Sequence, residues 1–66
     1  MFLVSIADDT KNLARSLTYH FRKYPEQYGV VNLYAPGTLH IERPSTVGEV
    51  AVQLCKSGKQ FSVDPD

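Results

Sequence analysis

His40 and Glu42 stand two residues apart, a spacing that places both on one face of a strand and would suit an acid–base pair. No positioned nucleophile or oxyanion donor accompanies them, so the pair makes no catalytic set. Asp8 and Asp9 follow an apolar run. Acidic pairs at a strand end hold Mg²⁺ in phosphoryl-transfer sites, but this pair lacks a glycine-rich phosphate loop and a downstream Ser/Thr-Lys partner. Capping of a following helix accounts for it. Cys55 is the only cysteine and falls at the edge of an apolar helical stripe, where a buried, inert thiol is the expectation. Lys56, its neighbour in sequence, points elsewhere on the helix and would not activate it. His20 and His40 are the remaining soft ligands, and their spacing fits no zinc site. The residues therefore predict no enzyme, no metal and no cofactor.

Binding chemistry is better represented. Lys11, Arg15 and Arg22 share one side of a helical pattern, Tyr19 flanks them, Lys23 is nearby, and no acid lies between Lys11 and Lys23. Such a patch could meet phosphate or an acidic protein surface. A solvated face with basic residues at the favourable end of the helix dipole would look the same. Tyr28 and Tyr34 sit near predicted turns at 25–29 and 34–38, where a ring with one wet end suits an interface or covers the rim of a small core. Lys11, Arg15, Tyr19, Arg22, Tyr28, Tyr34 and His40 are the predicted partner-binding residues.

Six elements must position these side chains. Phe2–Ala7 is apolar and β-branched, a strand expected at the centre of a sheet. Over residues 9–24, Leu13, Ala14, Leu17, Phe21 and Tyr24 fall within one arc of about 100°, with Lys11, Arg15, Thr18 and Arg22 opposite. Pro25 closes this helix. Residues 29–34 and 38–43 read as two strands. A three-residue Ala35-Pro36-Gly37 loop would set Leu33 opposite Leu39 and Val31 opposite Ile41, gathering the apolar residues on one face. Proline is disfavoured at the second central position of the usual turn, so pattern and turn chemistry conflict here. The other face would carry Asn32, Tyr34, Thr38, His40 and Glu42, with Leu3 and Ser5 beside them. Pro44-Ser45-Thr46 opens a second helix, with Thr46 and Glu49 at capping-box spacing, an apolar stripe of Val47, Val50, Ala51, Leu54 and Cys55, and Gly58 as its stop. Gln60–Val63 is a last short strand, and Asp64-Pro65-Asp66 is expected to fray.

The order β-α-β-β-α-β predicts an α+β fold, the ferredoxin-like split-βαβ sandwich, with a four-stranded antiparallel sheet and two helices on one face. Domains of RNA-recognition architecture stack bases on aromatic residues across the open face of such a sheet, but Thr38–Arg43 lacks their aromatic-glycine consensus.

At 66 residues there is room for one core and one domain, 1–66, of marginal stability, a size at which partner subunits are common. Seven basic residues balance seven acidic ones, which argues against a general phosphate binder. No apolar run reaches membrane-spanning length, and the apolar start lacks the basic region of a signal peptide. A chain that starts at Met1 without a linker reads as a whole gene product, and one cysteine suits a reducing cytoplasm. The expectation is a cytoplasmic interaction module that regulates or inhibits a larger protein. By analogy of size alone it compares with phage and mobile-element products, including anti-CRISPR-type inhibitors of host defence complexes. RNA or single-stranded nucleic-acid binding through the open sheet and first helix is the alternative, and a homodimer or larger homo-oligomer the third.

Overall fold

Phe2–Ile6 forms β1, which lies between two other strands as its apolar, β-branched run predicts. In the computed structural model, which describes residues 1–65, it is followed by α1 (Leu13–Arg22), α2 (Pro25–Tyr28), β2 (Val31–Ala35), β3 (Thr38–Ile41), α3 (Pro44–Lys56) and β4 (Phe61–Pro65). The result is a small α+β domain with three helices and a four-stranded sheet in the order β2-β3-β1-β4, every neighbouring pair antiparallel. One cluster fills the interior. Val4 and Ile6 of β1, Val31, Leu39 and Ile41 of the hairpin, Ala14, Leu17 and Phe21 of α1, and Val50 and Leu54 of α3 are all buried together.

α1 is shorter than the periodicity predicts. Asp8 and Asn12 both adopt left-handed backbone (φ 52° and 55°), so the chain turns twice before the helix starts at Leu13. The predicted capping falls to Asp9, whose carboxylate accepts hydrogen bonds from the N–H groups of Leu13 and Ala14. Thr18, expected on the polar side, is buried, because the face against the sheet widens to include positions 14, 17, 18 and 21. Its hydroxyl donates to the Ala14 carbonyl at 2.8 Å, so burial leaves no polar group unpaired. Tyr24, expected in the apolar stripe, lies beyond the end of α1 and is exposed.

Pro25 does more than close α1. Its fixed φ starts α2, a single helical turn where the sequence suggests a loop. The last carbonyls of so short a helix need partners. Arg43 Nη1 donates to the carbonyls of Glu26 and Gln27, both at 3.3 Å, and the Thr46 hydroxyl donates to that of Tyr28. Gly29 follows at φ 76°, and a Cβ there would meet Arg43 Nε at 2.8 Å, so the close approach of the guanidinium depends on this glycine.

Thr46 is thus not the cap of α3. Pro44 begins that helix two residues earlier, with extended Arg43 before it, and Thr46 is buried with its hydroxyl committed to α2. Replacing Thr46 with valine keeps the shape and removes the donor. Leaving the Tyr28 carbonyl short of its partner should cost about 1–3 kcal/mol and lower Tm by roughly 5–15 °C in a thermal melt followed by circular dichroism. At the other end of α3 the stop is as expected. Gly58 adopts φ 70°, its N–H donates to the Cys55 carbonyl, and the Lys59 N–H donates to that of Leu54. Cys55 itself is exposed rather than buried, because α3 turns only Thr46, Val50 and Leu54 fully inward.

The hairpin resolves the conflict between pattern and turn. Ala35 pairs with Thr38, so Pro36-Gly37 is a two-residue turn, with Gly37 at the positive φ (78°) that follows proline in a type II turn. The register shifts between Leu33 and Ala35, and Tyr34 becomes the extra residue of a β-bulge. The bulge restores the predicted pairs, Leu33 with Leu39 and Val31 with Ile41. The tip is anchored by a 2.8 Å hydrogen bond from the Ile6 N–H to the Gly37 carbonyl. β4 runs further than expected. Asp64 pairs with Leu3 and Pro65 with Phe2 instead of fraying, while Asp66 lies outside the described residues.

Candidate functional site

Arg15, Tyr19, Arg22 and Lys23 follow the spacing i, i+4, i+7, i+8, which stacks them along one flank of α1. α1 packs chiefly against β2 and β3, and β2 is the outermost strand on that side. The flank therefore overhangs the free edge of β2. Between them runs a groove of about 520 Å³ lined by these four side chains, Thr18 and Leu33. Lys23 Nζ stands 4.7 Å from the centre of the Tyr19 ring, a cation–π contact between two of the lining side chains.

The groove continues in both directions. Through Arg15 and Leu33 it joins a depression bordered by Asn12, Tyr34 and the Pro36-Gly37 turn. A neighbouring depression over Val31, Asn32 and Arg43 shares Arg22 with it. The trough thus follows β2 along its length. Its central stretch holds three cations and no acid. Asp9 borders one end, but both its oxygens are committed to the start of α1. Glu42 borders the other.

Of the predicted binding residues, the fold brings Arg15, Tyr19 and Arg22 together and adds Tyr34 at one end of the trough. Lys11 falls in the turn before α1 and does not line the groove, because the left-handed Asn12 takes it off the helical stripe. Tyr28 is half-buried and packs edge-on against Phe21 with ring centres 4.6 Å apart, so it serves the core. His40 is on the sheet face opposite the core, half-buried, with its ring 6.1 Å from that of the exposed Tyr34. On the same face Ser5 and Thr38 hydroxyls meet at 3.3 Å.

Leu33 is the residue that the pattern misplaces. Alternation assigns it to the core, and its register is right, yet it is 43% exposed. Strand order puts β2 at the edge, where Val31 is buried but Leu33 borders the open groove beside α1. A sequence signal exists only in combination, as an apolar position on a strand whose nearest helix shows cations on its flank.

Among the described residues no group of three or more His, Cys, Asp or Glu side chains could hold a metal ion, and no helix is long and apolar enough to cross a membrane. No protein-family model matches the chain, and neither a curated protein nor a solved structure does so.

Proposed function

We propose that the protein is a non-enzymatic interaction module that regulates or inhibits a larger protein by receiving part of that protein in the α1–β2 groove. One observation carries this reading: Arg15, Tyr19, Arg22 and Lys23 converge on the exposed Leu33 with no acid among them. Arginine and tyrosine are favoured anchors of protein interfaces, and an apolar floor ringed by cations suits an acidic partner surface with an apolar centre. Zero formal net charge keeps this field local, which favours a specific partner over bulk nucleic acid. The same reading takes the fold to be the ferredoxin-like split βαβ sandwich. The strand order β2-β3-β1-β4 and the sharing of one core by α1 and α3 support it.

Affinity capture of the tagged protein from its source lysate, with and without nuclease, tests the function. One protein recovered in near-equal amount under both conditions is the expected result. Recovery that collapses with nuclease would transfer the function to nucleic acid, for which the Tyr34–His40 face is the place to look. Recovery of the bait alone would favour a homo-oligomer.

A further inference from the structure

The hydrogen-bond parity of the hairpin shows what the groove can accept. The Glu42 N–H donates to the Val30 carbonyl at 3.1 Å, which makes this a hydrogen-bonded pair. It continues the register of Val31 with Ile41 and Asn32 with His40. Bonded and non-bonded pairs alternate along an antiparallel ladder, so Asn32 and His40 form the next bonded pair. The backbone N–H and C=O of Val31 and Leu33 then turn away from β3, toward the free edge. Both residues line the trough that follows this edge. Unpaired strand edges of this kind accept another strand.

We infer that the partner enters as an extended acidic segment, adding to β2 as a fifth antiparallel strand beneath the flank of α1. This rests on the interaction reading above and specifies its mode. A residue opposite Leu33 exchanges both backbone hydrogen bonds with it and points its side chain into the groove, where Leu33 and the Tyr19 ring favour an apolar group. The next inward positions are two residues away on either side. Those two positions are about 13 Å apart along a strand. Arg15 and Arg22 are seven residues apart on α1, about 10.5 Å along its axis, and flexible guanidinium arms span the difference. Arg15 also borders the Tyr34 end of the trough and Arg22 the Val31 end. The sequence received is therefore acid-x-apolar-x-acid, with the apolar residue opposite Leu33. Cations at both ends reject the same pattern built with lysine.

The test uses the fluorescein-labelled peptide acetyl-SETVTES-amide and fluorescence anisotropy with the full chain. Saturable binding is expected, weakened about tenfold or more by N-methylation of the valine, which deletes the bond to the Leu33 carbonyl, and by the lysine version SKTVTKS. Leu33→Pro should weaken binding similarly while leaving the β3 ladder whole, because the lost N–H faces the edge. Equal binding of the N-methyl peptide, absence of binding by the parent, or tighter binding of a short oligothymidylate would each overturn strand addition. The captured partner separates the two readings. If Arg15→Glu with Arg22→Glu abolishes capture and a folded Leu33→Pro protein captures normally, the groove is an interface but not by strand addition. If neither substitution changes capture, both readings fall.

Discussion

Leu39→Ala will leave the protein largely unfolded at 37 °C. Leu39 is fully buried in β3, paired with Val4 of β1 on one side and Leu33 of β2 on the other. It touches the one cluster that joins both long helices to the sheet. Truncation of such a leucine costs about 2–5 kcal/mol, the lost transfer energy plus an uncollapsed cavity. A single core of this size supplies a net stability of only about 3–5 kcal/mol. One cysteine allows no disulfide within the chain to offset that loss. The far-ultraviolet circular dichroism melt should lose its folded baseline, and the dispersed amide spectrum should collapse. Leu39→Met, which conserves volume, should cost less than about 1.5 kcal/mol and keep the transition. A cooperative melt of Leu39→Ala within a few degrees of the wild type would show that the core does not centre on β3.

Reversing Arg15 and Arg22 together to glutamate will weaken capture of the protein partner by about a hundredfold or more, equivalent to about 2.7 kcal/mol. Each reversal replaces an attractive charge with a repulsive one at either end of the same groove, and like charges facing across an interface are penalised. Stability should change little, because both side chains are exposed and neither belongs to the core. Lys11→Glu is the informative companion. It makes the same charge change off the groove and should alter binding less than about threefold, through long-range attraction alone. Equal losses from Lys11→Glu and from the double reversal would mean that the partner senses diffuse charge rather than this groove.

The sequence carried the order of the four strands and the two longer helices, though not α2, together with the central position of β1 and the pairing of Val31 with Ile41 and Leu33 with Leu39, because alternation and helical periodicity report burial directly. It carried the stripe Arg15, Tyr19 and Arg22 for the same reason. What escaped it depends on contacts between distant segments. Thr46 looks like a cap until Tyr28 arrives with an unpaired carbonyl. Tyr28 looks like a surface ring until Phe21 lies beneath it. Leu33 looks like core until strand order leaves it at the rim. Tyr34 is the clearest case. The pattern named the right pairs but reached them through a three-residue loop, whereas the turn has two residues because the extra residue sits in the strand.

That same extra residue limits how far the chain can polymerise. A fibril grows by adding identical strands to a long, flat, uninterrupted edge. On one side of this sheet the bulge at Tyr34 breaks the ladder after Leu33. On the other, β4 ends in Asp64 and Pro65, a charge and a residue without an N–H. Stacking two copies through β2 would also bring two sets of Arg15 and Arg22 side by side. The molecule can thus keep a short stretch of backbone open to an acidic strand while both edges of its sheet disfavour templating on itself.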